Sequence, residues 1–455
     1  MNRSSQKNQP AEVSQVLFST KSEFSLDLAS KIHFMVNMAR QFCYSLLLFC
    51  LFADSLSGEL FDEVYFPAFR RSREEYNIQI SKDEFNKFRV ALAKNQVQLD
   101  NSSEKAFVAS LLKALDISQS SQTLVFSTTS LQLSRISPRN PRAVYFNENL
   151  YVGWVPGGQI EVIGIDPEWG AMTYIFDIPR RLNEKPVIQR EDKVCMRCHA
   201  ASDIGSIPGL LISSVVPGPG GGSLDEFRDG EIGHHVPYRN RFGGWIVTGD
   251  EGFGKHWGNM TGTLSNGEII PISNKFGQNF QEDRHLVKTS DLLAHILHEH
   301  QAGFVNKFVA ATYRVRDVRA AKVKEITTAN FDQYLNWEAK KLVRYLLFAD
   351  EAKLPSGISG DLHLKTHFLS KAKKGKSGKS LRDFNLKDRL FQHRCSYMIY
   401  SAAFQGLPKP LKAKVYEHLR HALVKDPAYQ YLPLEERKAI YYILKETLTD
   451  LPAGW

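Results

Sequence analysis

The hydropathy pattern changes period near Gln122 and changes back near Ile272, and this double change limits what the chain can fold into. Upstream, Phe88, Val90 and Leu92, then Phe107, Leu111, Leu112 and Leu115, recur at helical spacing. Between the two changes, short β-branched and aromatic runs stand between Gly, Pro and Asn clusters: Thr123 to Phe126, Ala143 to Phe146, Tyr151 to Val155, Ile160 to Ile165, Thr173 to Phe176, Leu210 to Val216 and Trp245 to Val247. These runs predict strands, and the pair flanking Asn147-Glu148-Asn149 predicts a hairpin. From Ser290, read as an N-cap, Leu293, Ile296, Leu297, Phe304 and Phe308 return to helical spacing, and Tyr334 to Phe348 predicts a second helix. The expected fold class is α+β, a β-rich centre flanked by N-terminal helices and a C-terminal helical region. The expected segments are 58–118 helical, 119–289 β-rich, 290–350 helical, 351–380 a basic Gly/Ser/Lys linker and 381–455 helical.

A chain of 455 residues with 43% hydrophobic and 24% charged residues can bury a large core, which excludes disorder throughout. The formal net charge is +9, and Lys371 to Lys379 contributes five lysines without an acid. A run of that kind reads as a solvated loop. No aromatics are interleaved with it, and no zinc-finger or helix-turn-helix pattern appears, so nucleic acid is not an expected partner. Gly375 to Ser380 imitates a phosphate loop, but Lys373 stands where the first glycine is needed.

Phe42 to Phe52 is an apolar run of eleven residues, too short to span a bilayer and suited to the core of a signal peptide. It follows Arg40 and precedes Ser55-Leu56-Ser57, which predicts cleavage before Gly58. Residues 38–57 are therefore read as the signal peptide and 1–37 as a non-native extension upstream of Met38. The expectation is an exported, periplasmic protein with no membrane span left after cleavage. The competing reading places Phe42 to Phe52 in a buried helix.

Export would remove Cys43 and Cys50 and leave three cysteines, too few for a disulfide framework. Two of them stand in Cys195-Met196-Arg197-Cys198-His199. In this spacing two thiols can add across the vinyl groups of haem while the histidine meets the iron. With 5 Cys and 14 His in the chain, chance would produce the pattern about 0.002 times. The expectation is one covalent haem c held by Cys195, Cys198 and His199, with His199 the proximal iron ligand. A zinc site completed by His234, His235 or His256 is the first competing reading. A thioredoxin-type dithiol is the second, and it needs a βαβ unit that Ser206-Ile207-Pro208-Gly209 and the apolar run after it do not suggest.

Beyond the motif, Ser120 to Ser127, Ile136-Ser137-Pro138-Arg139, Tyr145-Phe146-Asn147, Tyr151 to Val155, Ile207-Pro208-Gly209, Gly243-Gly244-Trp245, His256-Trp257-Gly258-Asn259, Glu299-His300-Gln301 and Ser380-Leu381-Arg382-Asp383 resemble a family of large, exported, single-haem c-type cytochrome-domain proteins of bacteria. The resemblance implies haem binding and electron transfer, and names no substrate. Other exported redox proteins are the partners it implies.

For the sixth iron position the sequence offers His256, in a glycine-bounded loop, then His234, then Met260, 61 positions after His199 as in small cytochromes c. His300 lies on the apolar face of its helix, three and four residues after Leu297 and Ile296, and reads as buried; His295 and His298 project away from that stripe and read as surface residues. Arg135, Arg139, Arg142, Arg180, Arg181 and Arg190 are candidates to pair with a haem propionate. Filled axial positions would make the chain an electron carrier. An open distal side would make it a peroxidase- or oxidase-like enzyme, with His256 or His300 as acid–base group.

Overall fold

The computed structural model describes Phe61 and residues 68–455, apart from 129–130, 183, 227–231, 321–322 and 425. The expected signal peptide and extension lie outside the described residues. The fold is α+β. Its centre is a seven-stranded antiparallel sheet in the order β6-β5-β4-β3-β2-β1-β9. The strands are β1 (Thr123–Val125), β2 (Arg142–Phe146), β3 (Leu150–Trp154), β4 (Ile160–Asp166), β5 (Gly170–Phe176), β6 (Gln189–Arg190) and β9 (Trp245–Ile246). Two small antiparallel pairs flank it, β7 (Val215–Pro217) with β8 (Ser223–Glu226) and β10 (Met260–Ser265) with β11 (Glu268–Ser273). The β2–β3 hairpin forms where the sequence predicts it, with Phe146 opposite Tyr151. Its turn is held by the Asn147 side chain, whose Oδ1 accepts from the backbone N–H groups of Asn149 and Leu150. The Leu210 to Val216 run is a strand only at its end, from Val215.

Both faces of the sheet are covered, which is why β3 is buried along its whole length and shows no polar alternation. Three helices precede it, α1 (Ala68–Ile78), α2 (Glu84–Ala93) and α3 (Glu104–Ala114). On one face Phe85 of α2 meets Tyr174, and Phe107 of α3 meets Phe176. Asp83 and Ser103 cap these two helices, each accepting a backbone N–H three residues on, and Asp83 also accepts from the Tyr174 hydroxyl at 2.6 Å. The opposite face carries the registered residues Phe146, Tyr151, Gly153, Val144 and Glu161. Against it lie a short helix, α4 (Asp192–His199), and the 28-residue α5 (Leu292–Arg319).

α5 begins one residue later than expected: its cap is Asp291, which accepts from the Leu293 N–H, while the Ser290 hydroxyl meets Leu124 N and Ile246 O. Over residues 292–306 it is also buried all round. His295 and His298, expected at the surface, are 5% and 6% exposed, because the sheet covers the side of α5 that the periodicity assigned to solvent. His300 is buried as expected.

Beyond α5 the helices α6 (Phe331–Leu346), α7 (Leu362–Ser370), α8 (Ala402–Gln405), α9 (Lys409–Val424) and α10 (Leu434–Thr447) complete the chain. A bidentate pair between Arg314 and the fully buried Glu338 joins α5 to α6. α7 falls inside the stretch read as a linker; Leu364 and Phe368 bury its inner side, so Lys353 to Ser380 is ordered structure rather than a tether. Among the described residues no helix is long and apolar enough to cross a membrane.

Candidate functional site

Cys195, Cys198 and His199 stand at positions i, i+3 and i+4 of α4, a spacing that puts three side chains on one helical face. The helix starts where Glu191 turns back to accept from the N–H groups of Lys193 and Val194, and Asp192 adds a negative charge to the first turn. Asp192 pairs with Arg190 on β6, and the Thr173 hydroxyl of β5 donates to Glu191 O at 2.7 Å. These contacts seat α4 against the sheet edge. Cys195 is half-buried, Cys198 is exposed, and both are free thiols. Burial pushes the Cys195 thiol up to about 11, so in the folded chain it stays protonated at ordinary pH.

His199 is oriented by the chain that follows it. Its Nδ1 lies 3.1 Å from the carbonyl oxygen of Gly209, and the Gly209 N–H donates to His199 O at 2.9 Å. A carbonyl can only accept, so Nδ1 carries the proton and Nε2 keeps a free lone pair. That is the tautomer a metal-ligating histidine needs, with its second nitrogen anchored on a backbone oxygen. Burial holds the imidazole below its usual pKa, which keeps Nε2 unprotonated. Gly209 is in turn fixed from α5: Asn306 Oδ1 accepts from Leu210 N at 2.7 Å, and Asn306 Nδ2 donates to Leu210 O at 2.8 Å. A Cβ on Gly209 would sit 2.4 Å from Asn306 Oδ1, so the close approach requires glycine.

The reactive face of α4 opens onto a cavity of about 460 Å³ between α4, α5 and the sheet. Its walls include Cys195, Cys198 and His199, with Val144, Tyr151, Leu210 and Trp245 supplying apolar surface. Gly153 contributes a floor position without a side chain, and Arg142 and Glu161 flank it, paired at 2.7 Å. The volume falls within the roughly 300–1,000 Å³ of small-molecule and cofactor sites, and the mixture of apolar walls with a few polar groups is of the same kind. The thiols, the imidazole with its free nitrogen and the cavity fit a covalently held haem. Among the described residues the buried Nε of Arg142 has no hydrogen-bond partner. Of the six arginines offered for a propionate, Arg142 alone is among those lining the cavity.

No known protein family, characterised protein or solved structure matches this chain.

The histidines that sequence reasoning ranked for the far side are engaged elsewhere. His256 Nε2 donates to Asp250 Oδ2 at 3.1 Å and its Nδ1 accepts from Gly258 N at 3.0 Å, so both nitrogens are used within the loop between β9 and β10. His234 Nδ1 meets His300 Nδ1 at 2.9 Å, and His300 Nε2 meets the Ser396 hydroxyl at 2.8 Å, in an aromatic cluster with Tyr345 and Phe348. Met260 opens β10 opposite Ser273. None of these four lines the cavity beside Cys195 and Cys198, nor does His235, the other histidine of the zinc reading. Among the described residues no group of three or more His, Cys, Asp or Glu is placed to hold a metal ion by itself.

His298 does line the cavity. Its ring stacks on Phe146 at 4.9 Å and on Tyr151 at 5.6 Å, with Trp245 edge-on at 6.1 Å. No hydrogen bond within the protein reaches either ring nitrogen among the described residues. Burial lowers its pKa to about 3, with His295 and Arg142 adding to the effect. The helical stripe hid this residue, since the stripe predicts one buried face and residues 292–306 of α5 have no exposed one.

Proposed function

We propose that this chain is an exported c-type cytochrome carrying one haem c, attached through Cys195 and Cys198 with His199 as proximal ligand, and that it transfers electrons to or from other exported redox proteins. The observation that carries the reading is the meeting of the Cys-x-x-Cys-His face of α4 with an apolar cavity of about 460 Å³, at a His199 whose Nδ1 is anchored and whose Nε2 is free. When bound, the haem supplies one-electron chemistry. The protein's own residues do the rest. Gly209 fixes the plane and tautomer of His199, Asn306 holds Gly209, and Val144, Tyr151, Leu210 and Trp245 line the site with apolar surface that keeps water from a buried group. Attachment needs the thiolate, and the folded chain keeps Cys195 protonated, which favours attachment before α4 packs on the sheet.

The enzymatic alternative draws less support, because the acid–base candidates His256 and His300 do not line this cavity and have their ring nitrogens engaged. Expression in a host with haem-attachment machinery tests the proposal. The purified polypeptide should show a Soret band and stay red after acid–acetone extraction. Cys195→Ala or Cys198→Ala should weaken that retention. A colourless protein, or one that gives up all its colour to the solvent, would overturn the reading.

A further inference from the structure

We propose that His298 is the second protein ligand of the haem iron, placed on α5 to meet the face of the haem that His199 leaves open. The inference rests on the haem reading above and adds a residue to it. Three observations carry it. His298 lines the same cavity as His199, and among the described residues no protein hydrogen bond engages its ring nitrogens. It is 6% exposed and held on Phe146, Tyr151 and the edge of Trp245, so its plane is fixed in advance rather than free to rotate.

The third observation is spacing. His199 is tied to Gly209, and Asn306 of α5 clamps the adjoining Leu210. His298 stands eight residues before Asn306 on that helix, about 12 Å along its axis at 1.5 Å per residue. His298 and the Asn306 clamp that seats the His199 loop thus stand about two turns apart along α5, and both imidazoles line the one cavity. Among the other cavity residues able to bond iron, the Tyr151 hydroxyl donates to Gln301, the Tyr174 hydroxyl donates to Asp83, and Glu161 pairs with Arg142. A neutral imidazole with a free lone pair is the common metal-ligating side chain, and His298 supplies one.

The test uses the full chain with its covalent haem, comparing the native protein with His298→Ala, His298→Met and His256→Ala by electron paramagnetic resonance and optical spectra. The native ferric protein should be low-spin with a bis-histidine signature. His298→Ala should become high-spin while its haem survives acid–acetone extraction, should bind carbon monoxide when reduced, and should return to low-spin with added imidazole. His298→Met should gain the sulfur-to-iron absorption at the red end of the spectrum, and His256→Ala should match the native protein. A native protein that is already high-spin overturns the assignment of His298, as does a low-spin spectrum unchanged by His298→Ala. Should His298→Ala fail to fold, the native and His298→Met spectra still decide. A native protein without covalent haem refutes the underlying reading instead, and the retained colour of the His298 variants separates that failure from this one.

Discussion

Asn306→Ala probes the clamp that places His199, and its cost can be worked from the contacts it removes. Asn306 is 9% exposed and makes two hydrogen bonds to the backbone of Leu210, itself 3% exposed. Truncation leaves a buried N–H and a buried C=O without partners, at about 1–3 kcal/mol each, with relaxation and entering water returning part of it. The expected loss is about 2–4 kcal/mol of unfolding free energy, read by urea denaturation followed by tryptophan fluorescence. Gly209→Ala acts on the same contact from the other side, since its new Cβ would drive Asn306 Oδ1 from its place. Having broken the clamp once, the double variant should lose little more than Asn306→Ala alone. A coupling of about 0.5–3 kcal/mol between the two substitutions is therefore predicted, the range found for residues in one network. The haem spectrum should broaden in both single variants as His199 loses its anchor. Additive losses, or a cost below about 0.5 kcal/mol for Asn306→Ala, would refute the clamp.

Gly153→Leu places a side chain on the cavity floor between Arg142 and Glu161. Haem content should fall severalfold, as measured by pyridine haemochrome, while the apo protein keeps its native circular dichroism; unchanged haem content would mean that this cavity is not where the cofactor sits. A pH effect is expected at Glu351, whose carboxyl burial raises to about 7, above the roughly 4.3 of an unfolded glutamate. The folded state then holds a proton that the unfolded chain releases, so this group's stabilisation is complete below about pH 4 and is lost as pH rises through about 7. Glu351→Gln should flatten the fall in stability between pH 5 and 7 by about 1–3 kcal/mol in denaturation curves, and an unaltered slope would count against it.

How much of this was legible in the sequence depends on how local each signal is. The β2–β3 hairpin was readable because Asn147 both marks the turn and makes its hydrogen bonds. The thiols and His199 were readable because a helix brings i, i+3 and i+4 together without help from the rest of the fold. His298 was not. Its place in the cavity depends on the sheet lying over a face of α5 that the apolar stripe assigns to solvent, and that is a tertiary fact. His256 was overvalued for a related reason: its glycine-bounded loop suggested room for a cofactor, while Asp250, six residues earlier, already held one ring nitrogen. The Lys353 to Ser380 stretch was misread because composition reports solvation and hides the two buried anchors of α7, Leu364 and Phe368. The Asn306 clamp left no sequence signal, since nothing in the chain announces that Leu210 and Asn306, 96 positions apart, meet.

Whether Cys195 and Cys198 hold a haem is read by mass spectrometry of the protein from its native compartment. The expected intact mass is that of a chain beginning near Gly58 plus one haem, with a proteolytic peptide in which Cys195 and Cys198 carry that mass together. An intact mass of bare polypeptide, with both cysteines open to alkylation, would contradict it.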